Sequence, residues 1–262
     1  MISEFPLLVF TMLAGIAAGA YFMNAFDLLP VGATKDVNGD GVERAWVAPL
    51  VLLILVAAGG LASATHILHP ERILNAMSNP ISPITQESLW LGGLAVVMLV
   101  DLLLAAFRAQ GTPRWLRLVG AVFAGGLMAV TGFAYASNFG VAGWRGAATF
   151  PLFFLGDIAM GAALLCVFDN ALVTDKNFSA ANGAIQAGTL CVLIGLAVQF
   201  ASAGADAALA IAGAIVGPAV ALVVQLLARS GKIIPRAAAW IMLAAVVAGM
   251  CIARYGFYSL FA

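Results

Sequence analysis

Both histidines of the chain, His66 and His69, stand three residues apart where a long apolar segment breaks into Pro70-Glu71-Arg72. A haem b held between membrane helices needs axial ligands such as His on facing helices, and one cluster at a single membrane edge does not supply them. A lone imidazole at a lipid–water boundary, with Arg72 and Glu87 near in sequence, suits another chemistry. Imidazole changes protonation near neutral pH, so it is fitted to take a proton from a lipid-soluble quinol. The three cysteines, Cys166, Cys191 and Cys251, are scattered through apolar stretches without C-x-x-C spacing. They read as small apolar packing residues, not as an iron–sulfur or disulfide framework, and no metal site is expected.

The elements that position these residues are membrane spans. Apolar residues make up 63% of the 262 and charged residues only 9%, whereas soluble domains carry about 25% charged residues. Twelve basic and twelve acidic residues cancel, so no charge imbalance points to a nucleic-acid partner. The N-terminus carries Glu4 and no Lys or Arg before its apolar run. It lacks the basic start of a cleaved leader and reads as a retained helix.

A helix needs about 20 mostly apolar residues to cross the hydrocarbon core. Eight stretches qualify, near 6–29, 46–68, 86–107, 115–137, 149–170, 181–204, 207–228 and 235–258. The expected fold is therefore an all-α integral membrane protein, one eight-helix domain over residues 1–262. Short connections leave no room for a soluble domain, and the joins at Asp206 and Gly231-Lys232 read as tight hairpins. Basic residues favour the cytoplasmic side. The 1–2, 3–4, 5–6 and 7–8 connections hold Lys35, Arg44, Arg108, Arg114, Arg117, Lys176, Arg229, Lys232 and Arg236, against Arg72, Arg145 and Arg254 on the other side. Both termini are thus expected outside, together with His66, His69, Glu87, Tyr135, Asn138, Trp144, Arg145 and Arg254.

Several residues carry two readings. His66 is either a proton acceptor or an interfacial anchor, and His69, before Pro70, reads as a capping or surface residue. Glu87 opens the third span, where a carboxylate is stabilised by the helix dipole, which leaves room for a second use. Asp101 and Asp157 interrupt apolar runs; a carboxylate at the bilayer centre costs about 2.5–3.5 kcal/mol, so such an acid is a functional candidate. Asp101 lies toward the cytoplasmic end of its span and reads as reaching water. Asp157 either acts in the site or hydrogen-bonds a neighbouring helix. Arg254 either pairs with an acid at the outer face or docks a partner. Asp36-Val37-Asn38-Gly39-Asp40-Gly41 imitates half an EF-hand loop, but Arg44 and Val47 occupy its ninth and twelfth positions, so it reads as a polar turn. Trp46, Trp90, Trp115, Trp144 and Trp240 fit an interfacial belt. Gly15, Gly19, Gly59, Gly60, Gly92, Gly93, Gly125 and Gly126 fit close helix packing.

Four segments resemble a known family, the membrane anchor subunit of dimethyl sulfoxide reductases. Glu4-Phe5-Pro6-Leu7-Leu8-Val9-Phe10-Thr11 is similar to its E-[WF]-P-L-x-x-F-T opening. Ala62 to Arg72, continued by Asn75, resembles its A-S-x-x-H-x-x-x-P-x-R segment. Gln86-Glu87 fits the edge of its third span, and Arg254-Tyr255-Gly256-Phe257-Tyr258 is similar to its closing R-x-x-F-Y. The resemblance implies eight spans, an outer N-terminus, no haem and no iron–sulfur cluster in this chain. It also implies a place in the inner membrane of a prokaryote, in anaerobic respiration. There the anchor oxidises menaquinol and passes electrons to an iron–sulfur subunit that feeds a molybdopterin catalytic subunit. By position, His66 and Glu87 fall on the family's quinol-site residues and Arg72 on a basic residue beside them; Tyr135 and Arg254 complete the candidate set. The competing class is a non-redox helical bundle, a transporter or an assembly protein. Transporters often carry internal repeats and midplane charges; no convincing sequence repeat links residues 1–130 to 131–262, and the ionisable groups gather at one edge.

Overall fold

A computed structural model describes residues 5–26, 46–65, 78–107, 113–169 and 176–260. Among them are eight helices long and apolar enough to cross a membrane: α1 (Phe5–Ala25), α2 (Val47–Thr65), α3 (Pro83–Phe107), α4 (Arg114–Ala136), α5 (Thr149–Asp169), α6 (Lys176–Ser202), α7 (Ala208–Arg229) and α8 (Pro235–Ser259). The eight expected spans are all present. The largest departures are at two starts and at the end of α1, which stops at Ala25, four residues short of 29. α6 begins five residues early, at Lys176, and α3 begins three early, at Pro83. Proline suits a first helical turn because its missing N–H has no partner there anyway, and Pro235 starts α8 in the same way. As a consequence Glu87 lies one turn inside α3, not at its mouth. His66, His69, Arg72 and the EF-hand-like loop lie outside the described residues.

The expected tight hairpins are formed. Gly204 and Gly231 take φ of 73° and 72°, the left-handed region open to glycine. Each ends its helix with a bond from the next residue back across the last turn: Ala205 N–H to Phe200 O at 2.9 Å, and Lys232 N–H to Leu227 O at 2.9 Å. These bonds satisfy carbonyls that a helix end otherwise leaves open. Asp206 Oδ1 then accepts the Ala208 N–H at 2.8 Å, starting α7.

α1 to α4 pack as a ring, each on the next and α4 back on α1; α5 to α8 repeat that wiring. The two rings meet mainly where α1 lies against α5, with α4 on α5 and α8 on α1 completing the junction. The likeness between halves is one of helix contacts, not of sequence. Lipid-embedded helices associate through small residues and local polar contacts, so one arrangement can be built from unlike sequences.

The seam between α1 and α5 depends on glycine. A Cβ on Gly19 would strike the main-chain carbonyl of Asp157, and one on Gly161 would strike Ala20 N. A Cβ on Gly15 would overlap the Asp157 carboxylate itself. Gly59 lies against the main chain of α1 at Ala14, while other glycines receive side chains: Gly93 faces Phe123 and Gly126 faces Trp90. Gly92 departs from the packing expectation, with open space where its Cβ would be. α7 carries a π-helical turn at Ile215–Ala219 around Pro218, the kind of local widening that absorbs an interior proline. Opposite it, Gly249 of α8 lies against Gly213 and Gly217.

Candidate functional site

α1 begins and α8 ends at the same face of the bundle, and the polar side chains collected there come from five helices. Arg254 of α8 is fully buried. Its Nη2 donates to Asp157 Oδ1 of α5 at 2.5 Å, and its Nη1 donates to the Thr11 main-chain oxygen of α1 at 2.6 Å. Nη2 also approaches Leu152 O at 3.4 Å, and the guanidinium stands 4.8 Å from the centre of the Phe153 ring. One side chain therefore ties α1, α5 and α8 at the junction of the two rings, in the room left by Gly15. Of the two sequence readings of Arg254, the structure shows pairing with an acid. Of those for Asp157, it shows the contact to a neighbouring helix, made as an ion pair.

One turn beyond Arg254, on the same face of α8, Tyr258 is also fully buried. Its hydroxyl donates to Thr11 Oγ1 at 3.3 Å, and Thr11 Oγ1 in turn donates to Leu8 O at 3.2 Å. Thr11 is thus held twice by α8, once through its carbonyl and once through its hydroxyl. The Tyr258 ring also packs on the ring of Tyr135 of α4. Tyr135 is enclosed by rings. It stacks on Phe153 at 4.8 Å and 18° and meets the edges of Trp144, Tyr258 and Phe257 at 5.3, 5.4 and 5.7 Å. Such contacts contribute about 0.5–1.5 kcal/mol each beyond area burial and leave the ring little freedom.

Trp144 departs from the belt reading. It is buried, stacks on Phe257 at 5.0 Å and donates Nε1–H to Phe257 O at 2.7 Å. Gln199 of α6 secures the turn that delivers it, donating to Gly143 O and Thr149 Oγ1, both at 2.9 Å, and accepting from Ala148 N at 3.1 Å. Trp46, Trp115 and Trp240 are exposed on the lipid side, as a belt requires. Arg145 is exposed, 4.7 Å from the centre of the Phe139 ring.

Glu87 reaches the same neighbourhood from α3. The start of α3 is organised by other groups: Gln86 N–H donates to Ser82 O at 3.0 Å, and the Gln86 side chain bonds Pro80 O and Trp90 Nε1. Glu87 lies by the Thr131 hydroxyl of α4, within electrostatic reach of the Tyr258 hydroxyl. Thr131 and Tyr135 lie one turn apart on one face of α4. A polar line therefore runs Asp157, Arg254, Thr11, Tyr258, with the Tyr135 ring against Tyr258 and Glu87 near Thr131, one turn from Tyr135 on α4. The structure brings together Glu87, Tyr135 and Arg254 of the expected set. Thr11, Thr131 and Tyr258 are additions.

With this arrangement in view, the family comparison is decisive. The DMSO reductase anchor subunit family (DmsC) matches residues 1–260 of the 262. The chain belongs to that family. It is a multi-pass membrane protein and the membrane anchor of a DMSO reductase-type complex. No curated protein matches it.

The opposite face of the anchor subunit corrects one expectation. Asp101 does not reach water; it is buried, and it lies on the Tyr21 hydroxyl with Arg117 close by. This second polar cluster lies between α1, α3 and α4. The second ring has its own: Asn182 Nδ2 donates to Gln225 Oε1 at 2.8 Å, and Gln186 Nε2 donates to Ala159 O at 3.1 Å.

Proposed function

We propose that this anchor subunit binds menaquinol at the face carrying both termini, oxidises it, and passes the electrons to an iron–sulfur partner subunit feeding a molybdopterin catalytic subunit. The termini face is then the outer, periplasmic side of a prokaryotic inner membrane, in line with the nine-to-three division of basic residues. The observation that carries this reading is the setting of Glu87. A carboxylate one turn inside a membrane span is costly, and here it is directed at α4, beside Thr131, Tyr135 and Tyr258, at one lip of the bundle.

A quinol that gives up two electrons also releases two protons, and the site must accept both. His66, which follows Thr65 in the sequence, takes the first hydroxyl proton; Glu87 takes part in relaying protons to water at the same face. Arg72 matches the basic residue that the family resemblance puts by the site, and Tyr135 contributes to the pocket for the ring. Both electrons leave one at a time to the partner's clusters, because no haem or iron–sulfur cluster belongs to this chain. Protons and electrons exit on one side, so the step moves no net charge across the bilayer. The close contact of Gly19 and Gly161 in the α1–α5 seam, between Asp157 and the Tyr21–Asp101 cluster, favours that one-sided arrangement.

Replacing His66 by leucine tests the reading. Quinol-driven substrate reduction is expected to be lost, while the complex still assembles and turns over with an artificial donor that feeds the catalytic subunit directly. Quinol turnover at the wild-type rate would reduce His66 to an interfacial anchor.

A further inference from the structure

The second ring carries a groove that the quinol reading does not use. It runs between α6 and α7, encloses about 430 Å³ and is lined by apolar side chains alone. Alanines make its floor and branched residues its walls: Ala197 and Ala214 are buried, while Ile194, Val198, Ile211 and Ile215 are exposed. Both helices are long and apolar enough to cross the membrane, so hydrocarbon is what meets this face. A polar ligand would find no hydrogen-bond partner along it. On α6 the lining runs from Leu190 to Ala201, a rise of about 16 Å at 1.5 Å per residue. That is about half of the 30 Å hydrocarbon core, the depth of one leaflet. Spread over this length, the volume leaves a slot about 6 Å across. A helix, about 10–12 Å wide with its side chains, does not enter such a slot; a single alkyl chain does.

The groove opens at the face that carries the termini. Ala201 and Ala207 line its mouth, and Gln199, half a turn before Ala201, bonds Gly143 O in the connection from α4 to α5. The residue next to Ala207 is Asp206, which is exposed and accepts the Ala208 N–H on Oδ1 at 2.8 Å. That bond fixes the carboxylate at the mouth without neutralising it. The turn from Ala203 to Ala207 holds no basic residue, so the charge there favours a cation. We propose that the groove binds one acyl chain of a phospholipid whose headgroup carries an ammonium, with the chain between α6 and α7 and the ammonium paired with Asp206. The lipid belongs to the leaflet on the side of the termini. Its site lies wholly in the second ring, so the inference stands apart from the quinol reading.

The test is native mass spectrometry of the whole complex, purified in detergent and supplied with equal amounts of phosphatidylethanolamine and phosphatidylglycerol of identical acyl chains. The wild-type complex is expected to keep one phospholipid that Ala201→Trp loses. Ala201 is exposed, so the indole fills the mouth of the groove and leaves the core alone. Phosphatidylethanolamine should be retained about two- to fivefold over phosphatidylglycerol, the effect of an exposed ion pair. Asp206→Asn keeps an oxygen for the Ala208 N–H, and it should hold the lipid but lose the preference. Equal retention by the wild type and Ala201→Trp overturns the groove as the site. Equal retention of the two phospholipids by the wild type, or a preference that survives Asp206→Asn, overturns the role of Asp206 and the proposal with it. Menaquinone kept in place of a phospholipid, and lost in Ala201→Trp, overturns it as well, since an isoprenoid tail would then be the occupant.

Discussion

Glu87→Gln is expected to lower quinol-driven turnover of the assembled complex by about 10²–10⁴-fold, the usual contribution of a positioned acid–base group. Glutamine has the shape of glutamate and keeps an oxygen for the Thr131 hydroxyl, so α3 should stay docked on α4. What it removes is the ability to take a proton. Turnover with an artificial donor should be unaffected. The two rates, measured on the same membranes, separate loss of chemistry from loss of assembly. A carboxylate serving only the helix dipole contributes about 0.3–1 kcal/mol, and its neutralisation would leave the quinol rate close to wild type. That outcome would remove Glu87 from the site.

The second large effect is expected at Asp157. Its carboxylate and the Arg254 guanidinium are both buried, joined at 2.5 Å where the two helix rings meet. Asp157→Asn fits the space left by Gly15 but takes away the counter-charge and leaves Arg254 charged in an apolar seam. Breaking a buried pair in this way costs about 3–5 kcal/mol, whereas replacing both partners by apolar residues of similar volume is often close to neutral. The single variant should therefore show much less assembled anchor and a clearly lower unfolding temperature in detergent. Asp157→Leu combined with Arg254→Met should recover most of both. A single variant as stable as wild type would show that the charge of Asp157 is not needed by Arg254, whose hydrogen bonds to Thr11 and Leu152 would then suffice.

The spans were legible because their lengths are set by the bilayer, and Gly231-Lys232 and Asp206 marked the last hairpins through turn chemistry. The burial of α1 and α5 was not. Both are apolar on every side, so nothing in their pattern distinguishes a face toward lipid from a face toward another helix. Asp157 stood out as a charge in an apolar run and Arg254 as a charge at the end of the last span, yet they are 97 residues apart, and pairing them requires knowing that α5 packs on α8. Trp144 was misassigned for a related reason: a tryptophan at a span end looks the same whether it faces headgroups or the cage around Tyr135. Asp101 sits near enough to a span end to suggest water, and only the packing of α1 and α4 closes over it. Tyr258 had a usable signal, since Arg254 and Tyr258 are four apart and share a helix face. Thr11 was marked only as the last residue of the opening motif, and Thr131 had no signal, as a threonine in an apolar helix commonly bonds its own backbone. Glu87 and Tyr135 were candidates from their span-end positions, and Thr131 and Tyr258 are the neighbours that place them at one lip of the bundle.

The central claim, a quinol held at the face that carries the termini, is most directly tested by locating the headgroup in a structure of the complete complex with a bound menaquinone or a tight-binding analogue. The expected result is a ring at the outer lip, one oxygen within hydrogen-bond distance of Glu87 or His66 and the other of Tyr135. A headgroup lodged at the opposite face, beside Tyr21 and Asp101, would contradict it.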